Sequence, residues 1–189
     1  SAALFVVLSA FAGLKDFGLS FANSFDPDFE ILPERGTYFN VPDSTLVQLH
    51  SLPEIIAAAP EIEEKVFLSF KDKNQVAFLK AVSPDYTSVI PIDRLIALGD
   101  WLSFEGPDVV AGFGIAGSMG LGVYDYNTFL NIIVPKKKKQ TLLNQNPFTS
   151  SPSVVSGLYQ INEDLDKKYL FSNMSFGQQL LELQPNQFS

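Results

Sequence analysis

The chain has 189 residues, 46% of them hydrophobic and only 18% charged, so it suits one domain or two small lobes and is apolar enough to bury a core. A net charge of −8 and a pI near 4.5 exclude the concentrated basic surface that nucleic acid demands, and suit anionic lipid poorly. There are no cysteines, which removes disulfide frameworks, thiol nucleophiles and Cys-ligated zinc together and leaves the redox compartment open.

Ala2 to Ala12 reads AALFVVLSAFA, interrupted only by Ser9. A helix apolar on every side belongs in a core or a membrane, and this run is shorter than the roughly 20 residues that cross a bilayer. It is read as the outer end of a transmembrane helix, with Leu4, Phe5, Val6, Val7, Leu8 and Phe11 as its membrane part. The helix is expected to turn amphipathic after Gly13 and run to about Ala22. A chain that starts without Met fits a segment with further residues upstream. The competing readings are a core helix and a signal remnant. Ala10-Phe11-Ala12 has the A-x-A form, but no basic stretch precedes it.

Asp26-Pro27-Asp28 ends that helix, because proline disfavours helical geometry in the residue before it. Phe29 to Leu32 reads as a short strand closed by Pro33, and Arg35-Gly36 as a turn. Asp43 or Ser44 can cap a short helix carrying Leu46, Val47 and Leu49 and ending near His50, with a second short segment, Glu54 to Ala59, between Pro53 and Pro60. Val66–Phe70 and Val76–Val82 form a predicted hairpin around the charged turn Lys71–Asn74.

Pro91 to Leu98 is expected to make one or two helical turns stopped by Gly99. Val109–Ala111 is a brief strand entering glycine-rich Gly112–Gly122, and Thr128–Val134 is a strand ended by Pro135. The stretch 135–152 is the least core-like, Val154–Ile161 resumes as a strand, and Ser175 caps a last helix with Phe176, Leu180, Leu181 and Leu183 on its apolar side. Short strands mixed irregularly with short helices give an α+β class, and no repeat of solenoid period occurs.

Gly112-Phe113-Gly114-Ile115-Ala116-Gly117 is formally a dinucleotide-type G-x-G-x-x-G after a strand. Gly120 and Gly122 would each weaken the required helix by about 1 kcal/mol, and the acidic residue needed for a ribose is replaced by a lysine run, so close backbone packing around a short helix is the expected role. His50 is the only histidine, too few for a His-based metal site, and no G-x-S-x-G nucleophile accompanies it. The acidic clusters Asp26/Asp28, Glu61/Glu63/Glu64 and Glu163/Asp164/Asp166 read as solvated caps rather than as two carboxylates split across a cleft. No calcium-loop pattern is present either, so no catalytic, cofactor or metal residue is assigned.

Lys136, Lys137, Lys138 and Lys139 precede Leu142, Leu143 and Phe148 in a proline-bracketed stretch. Charge that steers an acidic partner, followed by large apolar anchors, is how a protein-binding loop is built, and these seven residues form the candidate partner site.

Four segments in order carry a family resemblance. AALFVVLSAFAGLKDF is similar to a first transmembrane helix ending in V-V-L-S-x-x-x-G, and Phe78 to Asp85 to a strand ending near V-x-G-x-D-P. Asp108 to Gly122, DVVAGFGIAGSMGLG, resembles a V-x-L-G-x-x-L-A-x-x-L-G block followed by a strand ending at Pro135. Val155–Tyr159, Glu163–Asp166 and SFGQQLL resemble a V-x-G-I-F … Y-D … A-Q-x-L ending. Together they resemble LolC/LolE-type lipoprotein-releasing ABC transporter permeases, whose extracytoplasmic part is a MacB-like periplasmic core. The pattern departs at Asn127-Thr128, where the family has Gly-Asp, and the chain stops at Ser189, before the strand–helix–strand piece that usually follows.

The resemblance implies a long N-terminal helix (1–24), a membrane-proximal lobe from 25–60 and 159–189, and a distal strand-rich lobe from 61–158 bearing a hook-like hairpin at 135–152. It implies a non-enzymatic domain on the periplasmic side of the inner membrane, mechanically coupled to a separate cytoplasmic ATPase. Its implied partners are a second permease subunit, a periplasmic lipoprotein carrier and the lipoprotein cargo. A MacB- or FtsX-type permease for another cargo or for a cell-wall hydrolase is the nearest alternative, and a soluble periplasmic carboxylate-dependent enzyme the alternative of another class.

Overall fold

The computed structural model describes residues 27–136 and 147–189. Leu4, Phe5, Val6, Val7, Leu8, Phe11, Lys137, Lys138, Lys139, Leu142 and Leu143 lie outside the described residues. The elements in chain order are β1 (Phe39–Asn40), α1 (Asp43–Ser51), β2 (Glu61–Phe70), β3 (Lys73–Val82), α2 (Tyr86–Val89), a 3₁₀ turn (Ile92–Leu95), β4 (Ile96–Gly99), β5 (Asp108–Gly112), α3 (Phe113–Met119), β6 (Leu130–Pro135), β7 (Phe148–Tyr159), α4 (Glu163–Lys168), β8 (Tyr169–Asn173), α5 (Met174–Leu181) and β9 (Gln187–Phe188). The class is α+β. No helix among the described residues is long and apolar enough to cross a membrane.

The framework is a seven-stranded sheet in the order β4-β7-β5-β8-β3-β2-β6, with β6 also paired to β7, so the pairings close into a ring. The length of β7 makes this possible. Val154 N–H donates to Pro107 O (3.2 Å) on one edge, whereas Tyr124 N–H reaches Val155 O (2.8 Å) and Lys136 N–H reaches Pro147 O (2.9 Å) on the other. One edge of β7 therefore serves β5, and the opposite edge serves β6 over its first half and β4 over its last residues. Pro152 faces the β5 edge before that pairing begins at Val154, so the ladder never needs the N–H that proline lacks.

Period-two alternation sorts the side chains between two clusters. Ile62, Val66, Leu68, Leu79, Val109, Ile132 and Leu170 face the larger one, covered by Ile115 and Met119 of α3 and Phe176 and Leu180 of α5. Val82, Val110, Tyr159 and Phe171 face the smaller one, with Tyr86 of α2 and Ile92 of the 3₁₀ turn. A two-stranded ladder of β1 and β9 (Phe39↔Phe188) ties the chain end to the segment before α1.

The β2–β3 hairpin is longer than expected, pairing from Glu61↔Val82 to Phe70↔Lys73 around only Lys71 and Asp72. Its tightness places Lys71 at φ +54°. The glycine-rich stretch is a strand–helix turn in which backbone meets backbone. A Cβ on Gly112 would lie 2.1 Å from Asp166 O, so α4 occupies the space a phosphate would need. Gly120 at φ +73° then ends α3 as a left-handed cap. The last helix starts slightly earlier than Ser175: Asn173 Oδ1 accepts from Phe176 N–H at 2.7 Å, as Asn162 Oδ1 does from Leu165 N–H at 3.0 Å for α4.

Five expectations are corrected. Residues 29–32 and 54–59 form neither a strand nor a helix, and Pro91–Leu98 divides into a 3₁₀ turn and strand β4. Glu61, Glu63 and Glu64 belong to strand β2 rather than to a solvated cap, and Asp166 is buried. Residues 163–173, given no element from sequence, form α4 and β8. β8 lies at the middle of the sheet between β5 and β3, so part of 159–189 shares a sheet with strands from 61–158.

Candidate partner-binding surface

β6 and β7 run antiparallel from Leu130↔Ser153 to Pro135↔Phe148. Of the seven predicted partner-binding residues, the described pair Lys136 and Phe148 meets at the end of this ladder, where Lys136 N–H donates to Pro147 O at 2.9 Å. Phe148 is 51% exposed and Lys136 half-buried. The lysine and leucine run joins the described chain at Lys136 and Pro147 in sequence.

Alternation within the strands extends this point into a surface. On β6 the inward residues are Leu130, Ile132 and Val134, which leaves Ile133 and Pro135 on the outward side with Phe148 and Ser150 of β7. Ile133 pairs with Phe67 of β2, and Phe67 pairs with Val76 of β3. Phe67 is 43% and Val76 50% exposed. Phe148, Pro135, Ile133, Phe67 and Val76 therefore lie on one outer face of neighbouring strands, whereas scattered single apolar residues would need no explanation.

The margin of this stripe is charged, with lysines nearest the apolar residues and Glu63 and Glu61 beyond Lys65 on the same face of β2. Lys65 precedes Phe67 on the same face and pairs with Phe78, and Lys168 lies 5.0 Å from the Phe78 ring and 4.4 Å from the Tyr169 ring. Lys136 follows Pro135 at the other end of the ladder. By charge and apolar contact, an apolar strip beside lysines on a chain of net charge −8 is chemically complementary to an acidic surface with apolar anchors. Sequence reasoning missed Phe67, Val76 and Ile133 because three successive apolar residues, Val66 to Leu68, do not tell the two sides of the strand apart without the pairing.

The carboxylates of β2 serve a different arrangement. Glu61 and Glu63 sit two residues apart on one face and both hold Lys80, at 2.7 and 3.3 Å, while Glu64 accepts from the Tyr38 hydroxyl. Glu61, Glu63 and Glu64 line an open cleft of about 510 Å³ with Glu30, Leu32 and Ser189. These three come from one strand and are engaged by Lys80 and Tyr38, while Glu30 lines the same cleft from the segment before β1. Burial pulls Lys80 down, but Glu61 first and Glu63 second outweigh it and hold the ammonium above the ordinary lysine range.

Lys80→Ala is expected to cost about 2 kcal/mol, between the values for exposed and fully buried pairs, and Lys80→Met less, read from denaturant midpoints. The pair's contribution is complete below the unfolded lysine pKa of about 10.4 and is lost as pH rises through the higher folded value. The wild type should therefore lose an alkaline increment of stability that Lys80→Met lacks, and identical alkaline limbs would contradict this. His50 stands exposed at the end of α1, with Nδ1 2.7 Å from Leu46 O, as its helix-end reading required.

No protein-family model matches the sequence, and no characterised protein matches it either. Solved structures are similar in fold. The extracellular domain of the noncanonic ABC-type transporter YknZ from Gram-positive bacteria aligns over 87% of this chain and 77% of its own, with a TM-score of 0.53 and 12% identity. The periplasmic region of MacB from Actinobacillus actinomycetemcomitans aligns over 79% of this chain at a TM-score of 0.48 and 16% identity, and this chain spans 62% of that one.

Proposed function

We propose that this chain is the extracytoplasmic domain of an ABC transporter permease subunit, acting by docking and motion rather than by chemistry. The observation that carries the reading is the lysine-bordered apolar stripe Phe148–Ile133–Phe67–Val76 beside the β6–β7 hairpin, on a fold like that of the extracellular domain of YknZ. In this reading Ala2–Ala12 is the membrane end of a helix, the region around 25–60 lies nearest the bilayer and the hairpin farthest from it. A cytoplasmic ATPase moves the helix, and the domain follows as a rigid body beside a second permease subunit.

The finer proposal is lipoprotein release: the hairpin and stripe hold a periplasmic lipoprotein carrier while cargo passes to it from the inner membrane. The sequence resemblance supports this cargo. The likeness to YknZ supports the wider reading, a permease for another cargo.

A pull-down of a purified periplasmic lipoprotein carrier separates the two. Replacing residues 137–146 by a short turn, or introducing Phe67→Glu on the exposed stripe, should weaken capture at least ~10-fold, the loss typical of an interface hot spot, with the melting temperature nearly unchanged. Capture unaffected by both variants would remove the docking assignment. No capture by the wild type would remove the carrier and leave the wider reading.

A further inference from the structure

We infer that a second binding surface, of opposite charge, lies on the free edge of β4 and takes an extended segment bearing lysine or arginine from a partner polypeptide. β4 ends the strand order, pairs only with β7 and has no strand on its outer edge among the described residues. Neither lysine nor proline, the residues that guard many exposed edges, occurs in Ile96–Gly99, and Ala97, Leu98 and Gly99 are all exposed, Leu98 at 52%. The register steps from Ile96↔Tyr159 to Leu98↔Leu158, which leaves Ala97 as the unpaired residue of a bulge. An unpaired edge offers main-chain donors and acceptors at the spacing of another extended chain.

The side chains beyond β4 indicate which chain. Asp100 N–H donates to Ser156 O (3.0 Å) and Tyr124 N–H to Val155 O (2.8 Å), so both residues continue the line of β4 along β7. The Tyr124 hydroxyl donates to the Asp100 carboxylate, and the Tyr126 ring stacks on Tyr124 with centroids 6.5 Å apart and planes 22° apart. These rings are 41% and 66% exposed, an aromatic surface held in place from two sides.

Two carboxylates accompany the rings: Asp100, bonded to Tyr124, and Asp125, which lies between Tyr124 and Tyr126 in sequence. In the chain from Ala81 to Pro135, Asp85, Asp93, Asp100, Glu105, Asp108 and Asp125 are set against the single base Arg94, two residues before β4. Carboxylates beside exposed aromatic faces favour ammonium or guanidinium groups, through charge and through the ring quadrupole. They disfavour the acidic partner that suits the lysine-bordered stripe. The two surfaces therefore select different partners, and this inference does not rest on the transporter reading.

The test is fluorescence anisotropy on the full chain, with a labelled octapeptide of alternating lysine and valine and a glutamate–valine counterpart. The lysine peptide should bind and the glutamate peptide should not. Asp125→Lys and Tyr126→Ala, both at exposed positions, should each weaken binding several-fold, and Ala97→Pro should abolish it by altering the free edge. If Ala97→Pro fails to fold, the two surface variants carry the test. Absence of binding by the wild type overturns the inference. So does binding unchanged in these variants, which would mark general attraction to a chain of net charge −8, and so does binding lost only in Phe67→Glu, which would place the peptide on the stripe.

Discussion

Replacing Gly112 with alanine should lower the unfolding free energy by about 3 kcal/mol, at the upper end of what overpacking costs, whereas the same change at Gly117 should raise it by about 0.5–1 kcal/mol. The contrast isolates the cause. Gly112 has φ −66° and ψ 145°, a backbone any residue adopts. On conformational entropy alone alanine would stabilise here by about 0.4–1 kcal/mol. Contact reverses the sign, because the new methyl would meet Asp166 O at 2.1 Å and Asp166 C and Cα at 2.6 Å. All three are backbone atoms, so no side chain can swing away, and α4 must separate from the end of β5. Gly117 lies within α3 with nothing within 4 Å of an added Cβ. Urea midpoints of the two variants decide the matter, and a stable Gly112→Ala protein would mean that α4 is not seated against β5.

That contact also shows what could and could not be read from the residues. The G-x-G-x-x-G stretch could be denied a nucleotide from sequence, because Gly120 and Gly122 follow at once and no acidic residue stands at the ribose distance. What the first glycine meets could not be foreseen, since its neighbour α4 was not anticipated. β8 was missed for a related reason. Tyr169–Asn173 is buried on both faces, so it has no polar alternation, and five residues after Lys167-Lys168 give too little pattern to register. The β2–β3 hairpin, β6 and α5 were legible because their apolar spacing repeats over a longer run. The first half of β7 was hidden among Ser, Thr and Pro, since residues 148–152 are held by β6 rather than by burial.

The candidate site divides along the same line. The chemistry of the hairpin, lysines followed by Leu142, Leu143 and Phe148, is local in sequence and was visible there. The stripe that adjoins it depends on which neighbours β2 has. Only the pairing of Phe67 with Val76 and Ile133 turns three apolar residues from three strands into one surface. The acidic edge at β4 is likewise assembled from segments 24 residues apart, Asp100 and Tyr124.

Phe171→Ala is expected to cost about 4 kcal/mol, within the range for a buried aromatic emptied to alanine, and to shift the emission of Trp101 to longer wavelength. Phe171 is fully buried on β8 and is the ring that the smaller core shares: Trp101 and Tyr159 each lie 5.4 Å from it, and Tyr86 lies 5.9 Å away. Those three partners come from the loop after β4, from β7 and from α2, so one cavity unseats three segments. Trp101 is the only tryptophan of the chain, which makes its fluorescence a local reporter. Phe171→Leu keeps most of the volume and should lose less than about 1.5 kcal/mol, with little spectral change. Because Trp101 anchors the backbone next to Asp100, Phe171→Ala should also weaken lysine–valine peptide binding while the stripe keeps its partner. A Trp101 emission unmoved by Phe171→Ala would show that the loop is held by other contacts, and the proposed coupling between core and acidic edge would fail.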